Sequence, residues 1–234
     1  MMEEQSLIFF KFGSEENITD LFENGTIYFN TIDYFQRLEG QGLRGDDYEG
    51  TTKIINPKSD KLKLTITISE TEKEIPIKLS KFHLREFLKD IKGNLFSLYC
   101  FRHQDMFESD NFKIDPRVKE FGTHFILIKN PLKFITLICN QLDRNKFIYQ
   151  IKQVEYYDKK EINGEISLFH KTTEYEYQKE FRIVLFNNGN TPIKIEIGSL
   201  KAYAEVFKVD NIDTMKIIRI DKSDIPPKYF DMIK

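Results

Sequence analysis

The chain has 234 residues, enough for a sizeable core, and its 40% apolar and 31% charged content is that of an ordinary globular protein. Its 35 basic and 37 acidic residues are closely interleaved and leave a net charge of −2, which argues against a basic arm for indiscriminate nucleic-acid or membrane binding and leaves room for a locally basic groove. No apolar run is long enough to span a bilayer, MMEEQS does not read as a secretory signal, and Cys100 and Cys139 lie in apolar stretches as reduced thiols do, so the expected place is the cytoplasm, with no membrane partner.

SLIFFKF (6–12) is a nearly continuous apolar run, as in a strand covered on both faces, with Lys11 the exception. In SEENITDLFENG, Ser14 suits an N-cap, Glu15 and Glu16 suit the positive end of a helix, and Ile18, Leu21 and Phe22 make one stripe that Asn24-Gly25 terminates. TIYFNT (26–31) reads as a second strand leading into an aromatic turn or short helix, TIDYFQRL. EGQGLRGDDYEG (39–50) is glycine-rich and charged, the composition of a functional or exposed loop. KLKLTITIS (61–69) alternates like a half-exposed strand. SKFHLREFLKDIKG (80–93) carries a helical stripe in Leu84, Phe87, Leu88 and Ile91.

NLFSLYCF (94–101) returns to strand, and DPRVKEFG (115–122) reads as a short capped helix. THFILIKN (123–130) predicts a strand and NPLKFITLICNQL (130–142) a capped helix. Strands then dominate: FIYQIKQVEYY, EISLFH, KEFRIVLF, TPIKIEIG and MKIIRID, with GSLKAYAEVFK (198–208) expected to be a helix. With no repeat and no Pro/Ser-rich linker, residues 1–234 read as one mixed α+β domain.

Several common chemistries have no motif here. His83, His103, His124 and His170 lack metal spacing, and there is no P-loop, GxGxxG or GxSxG. What stands out is EYEYQKEFRIVLF, where polar residues crowd the entrance of an apolar strand. Gln178, Glu180 and Arg182 sit two apart, so on a strand they share one face.

The chain resembles a bacterial family of uncharacterised proteins associated with phage defence and abortive infection. The resemblance rests on FFKF (9–12), YFNT (28–31), DYF (33–35), Cys100-Phe101, Phe121-Gly122 and KEFR (179–182). The order of these elements is also similar to an ADP-ribosyltransferase core. That resemblance implies a split β-sheet with short flanking helices, NAD as substrate, and a glutamate on a late strand in a Gln-x-Glu pair. It gives Glu180 the catalytic position with Gln178 beside it, Lys11 the first-strand role and Thr31 the second-strand role. RNA, DNA or a protein is then the acceptor, and an antitoxin or another defence-system protein is a possible partner.

The physical logic stands apart from the name. Breaking the nicotinamide–ribose bond develops positive charge on the sugar, which a fixed carboxylate stabilises. Lys11 and Arg44 can hold phosphates, and Tyr28, Phe29, Tyr34 or Phe35 can stack on the nicotinamide. Asp46, Glu49 and Arg182 are substrate-contact candidates. Other readings stay open: Lys11 can snorkel from a strand end, Thr31 can cap the following turn, and the aromatic group can be core. Glu180 and Arg182 can form an exposed ion pair. The rival functions are a non-catalytic module sensing a nucleotide or phage protein, and a metal-dependent nuclease on the Asp46 and Glu49 cluster.

Overall fold

The computed structural model describes residues 8–37, 51–55, 64–68, 73–77, 84–87, 92–102, 114–186, 189 and 191–215. These make a mixed α+β structure around one large antiparallel sheet. Its strands are β1 (Ile8–Gly13), β2 (Thr26–Thr31), β7 (Asn94–Phe101), β8 (His124–Ile128), β9 (Ile148–Gln153), β13 (Glu180–Phe186), β14 (Ile193–Glu196) and β15 (Ala204–Lys208). One path through it runs β14-β2-β7-β1-β8-β15, and β13 pairs with the other edge of β7 and carries β9 outside it. Smaller units are a hairpin of β4 (Leu64–Ile68) and β5 (Lys73–Ile77), and a sheet of β3 (Thr51–Ile55), β6 (Leu84–Phe87) and β11 (Gly164–Glu165). A parallel pair joins β10 (Glu155–Tyr157) to β12 (His170–Thr172).

The helices form where the local code specifies them. In α1 (Glu15–Asn24) the Ser14 hydroxyl accepts from the Asn17 N–H, and Gly25 closes the helix at φ 69°. Gly25 is required twice over, since a Cβ there would also stand 2.0 Å from the Gly198 carbonyl oxygen. Helix α2 (Ile32–Arg37) follows β2 directly, and α3 (Pro131–Arg144) has an Asn130 cap with proline in its first turn.

Both α1 and α3 pack on one face of the sheet, where Ile18, Leu21, Phe134 and Ile138 meet Phe9, Phe29, Phe96, Leu98 and Phe181. The opposite face holds two apolar clusters. Phe10, Phe12, Tyr99, Phe101 and Phe125 form one, while Ile32, Leu95, Phe169 and Val184 form the other. Period-two alternation along β7 and β13 therefore puts Ser97, Glu180 and Arg182 between two hydrophobic masses. Each large side chain buried there contributes about 1.5–3 kcal/mol, so the polar residues sit on a firm floor.

Two segments expected to be helical contain strands among their described residues. Within 80–93, residues Leu84–Phe87 form β6 against β3, with Glu86 opposite Lys53 and Leu84 opposite Ile55. Within 198–208, Ala204–Lys208 is β15 on the edge of β8, and Phe207 stacks on Phe125 at 5.3 Å. In both cases a strand edge elsewhere in the chain offers ladder bonds that local periodicity does not reveal. EISLFH also divides, with residues 166–169 outside any strand. MKIIRID lies outside the described residues beyond Met215.

Candidate functional site

β1 and β2 reach the same edge of β7 from opposite ends. β1 pairs with Tyr99, Cys100 and Phe101, and β2 pairs with Asn94 and Leu95. Between them, among the described residues, positions 96–98 have a strand neighbour on the β13 side only. This parting opens a cleft of about 890 Å³, floored by Phe96, Ser97 and Leu98 and walled by residues of β1, β2 and α1.

Glu180 enters the cleft from a backbone pinned on both sides. The 3-10 turn Thr173–Gln178 ends at Lys179, whose left-handed backbone (φ 39°, ψ 50°) redirects the chain into β13. The Lys179 carbonyl accepts from the Cys100 N–H at 2.8 Å, and the Glu180 carbonyl accepts from the Val154 N–H at 2.9 Å. The Glu180 N–H donates to the Tyr156 hydroxyl at 2.9 Å. Gln178 is thus not a strand residue, contrary to the expected three-residue strand face; only Glu180 and Arg182 share that strand.

A lysine restores the grouping. Lys171, at the centre of β12, donates to Gln178 Oε1 at 2.7 Å and to Glu180 Oε1 at 2.5 Å. Glu180 Oε2 accepts from Arg182 Nε at 2.7 Å and from Ser97 Oγ at 3.0 Å. Arg182 also donates through Nη1 to the Leu168 carbonyl, which residues 167–169 leave available by not forming a strand. Lys171, Gln178 and Arg182 are buried, and Glu180 is 9% exposed.

Burial opposes ionisation of Glu180, yet the charges of Arg182 and Lys171, with their hydrogen bonds, outweigh it and hold the carboxyl well below the usual range. Burial and the Glu180 charge push the Tyr156 hydroxyl far up, so it stays protonated. A carboxylate has about four lone-pair positions. Among the described residues three donors reach Glu180, one fewer than those positions.

Lys11, on β1, spans the gap. Its Nζ donates to the Ser97 carbonyl at 2.7 Å and lies 4.5 Å from the Phe96 ring centroid. At the rim, Lys194 sits over Tyr28 at 5.7 Å. Asp20 accepts from Asn24 and Thr26; the Asn24 hydrogen bond chiefly holds its carboxyl below the ordinary value, against a smaller opposing effect of burial. The charged residues lining the cleft are Lys11, Lys171, Arg182 and Lys194 against Asp20 and Glu180, an excess of two positive charges among the described residues.

Seven sequence candidates, Lys11, Tyr28, Tyr34, Phe35, Gln178, Glu180 and Arg182, thus line one cleft. Two stand elsewhere. The Thr31 hydroxyl accepts from the Tyr34 N–H at 3.0 Å and caps α2, and the Phe29 ring is fully buried 5.8 Å from Phe96. Arg44, Asp46 and Glu49 lie outside the described residues. Ser97, Lys171 and Tyr156 were not anticipated. Ser97 had a faint signal as the polar centre of NLFSLYCF; Lys171 had none.

The fold and site define an α+β protein with a charged cleft where an antiparallel sheet parts. No family model, curated protein or solved structure matches the chain. Among the described residues no group of three or more His, Cys, Asp or Glu is placed to hold a metal ion, and no helix is long and apolar enough to cross a membrane.

Proposed function

We propose that the cleft binds NAD and that the protein is an ADP-ribosyltransferase-like effector or toxin of anti-phage defence. In this reading ADP-ribose passes to an RNA, DNA or protein acceptor, and the parted sheet is the split core of that fold. One observation carries it: Glu180 of a late strand and Lys11 of the first strand line the same cleft. The bond from ribose C1′ to the nicotinamide nitrogen breaks, its electron pair leaves with nicotinamide, and an acceptor nucleophile bonds to C1′ and loses its proton. Glu180 uses its remaining lone-pair position to accept a ribose hydroxyl and to stabilise the positive charge developing on the sugar. Ser97 takes the hydroxyl role that the resemblance gave to Thr31, since Ser97 Oγ donates to Glu180. Gln178, anchored by Lys171, helps place the acceptor. Tyr28 and Tyr34, 44% and 43% exposed, offer stacking faces, and the surplus of two positive charges complements a diphosphate.

The test is transfer of label from NAD to lysate components by wild type, Glu180→Gln and Gln178→Ala, with thermal unfolding as the folding control. The expected result is label transfer by wild type that Glu180→Gln loses while still folded and Gln178→Ala reduces. Equal transfer by all three removes this site from the chemistry. A second reading has its own support, because Lys171, Arg182 and Ser97 hold both Glu180 oxygens as in a rigid binding module. A non-catalytic nucleotide sensor of this kind binds ADP-ribose saturably and releases no nicotinamide from NAD.

A further inference from the structure

Along an antiparallel strand, the peptide groups of successive residues face opposite edges. Cys100 directs its N–H to the Lys179 carbonyl, so the peptide groups of Phe96 and Leu98 also face β13. Those of Leu95, Ser97 and Tyr99 face the other edge. There Tyr99 meets Phe10 of β1 and Leu95 meets Asn30 of β2. Ser97, midway between them, meets no strand on that edge among the described residues. Lys11 Nζ stands in for the missing neighbour at its carbonyl. Its N–H has no hydrogen-bond partner among the described residues. Ser97 is also the one residue of β7 that is not fully buried. A backbone donor in a central strand is costly to leave unpaired unless solvent or a ligand takes it.

We infer that the Ser97 N–H is a phosphate-binding donor, which takes a phosphoryl oxygen of a nucleoside diphosphate beside the Lys11 ammonium. The capped carbonyl decides the chemistry. At this point the gap presents a donor and positive charge, which suits an anionic group that only accepts. A base edge or a carboxamide brings donors of its own and finds the Ser97 carbonyl already engaged. The inference rests on reading the cleft as a nucleotide site, and it does not require that NAD be cleaved.

The experiment uses the full chain labelled with nitrogen-15 serine. Ser97→Ala keeps the N–H and removes one serine resonance, which identifies Ser97. In the free protein this amide is expected to exchange with solvent despite its central position. Saturating ADP, confirmed by calorimetry, shifts the resonance and slows exchange about tenfold or more. Nicotinamide alone changes neither, and Lys11→Met weakens ADP binding. Three results overturn the inference: protection of Ser97 in the free protein, no ADP binding, or ADP binding that leaves Ser97 unchanged. So does a response to nicotinamide in place of ADP. ADP protection without any consumption of NAD leaves the subsite standing and rejects the transferase. NAD consumption with an unresponsive Ser97 rejects the subsite alone.

Discussion

Glu180 stays ionised while 9% exposed because Lys171 and Arg182 are buried with it, and the three charges stand or fall together. Removing one cation strands the rest, so Lys171→Met or Arg182→Met is expected to cost about 3–5 kcal/mol in urea unfolding. The pH dependence has a definite sign. The folded-state pKa of Glu180 lies below its ordinary value of 4.5. Its stabilisation is therefore fully present above that value and is lost as pH falls below it toward the folded pKa. The stability gap between wild type and Glu180→Gln should accordingly narrow from about pH 6 to about pH 3. A constant gap across that range contradicts an ionised, paired Glu180. At this scale the sequence pointed to Gln178, Glu180 and Arg182 by their polarity beside an apolar run. It could not point to Lys171 or Ser97, whose meaning lies in what they touch after folding.

Among the elements, those with capping signals were legible and those decided by strand pairing were not. α1 begins and ends where Ser14 and Gly25 mark it, and α3 begins where Asn130 marks it, because caps satisfy backbone groups a few residues away. β6 and β15 carry apolar residues at spacings that suit a helix as well, and their partners β3 and β8 lie far off in the chain. Asn130→Ala removes the bond to the Lys133 N–H and should cost about 1 kcal/mol. Gly25→Ala should cost more than the ~1 kcal/mol of an ordinary C-cap exchange, since the Gly198 backbone would have to move as well. Urea midpoints of the two variants against wild type rank these effects; a Gly25→Ala loss smaller than that of Asn130→Ala contradicts the close approach.

For the whole molecule, the decisive feature is that a chain of net charge −2 gathers, among its described residues, an excess of positive charge in one cleft. The sequence could not show this, because the four cations come from β1, β12, β13 and β14 and are dispersed among acids along the chain. Its consequence is a graded salt response. Lys194 is exposed at the rim, where mobile ions screen charge over about 8 Å at physiological ionic strength. Lys11 is half-buried and held against Ser97, where screening is weaker. Lys194→Met should therefore weaken ADP binding about two- to fivefold at low salt and have almost no effect at about 0.5 M salt, while the Lys11→Met loss persists at both. Calorimetric titration of each variant at the two salt concentrations measures this. If the two losses fade equally with salt, the bound phosphates lie at the rim, away from the gap between β1 and β2. The parted sheet would then be a feature of the scaffold, with no part in holding the ligand.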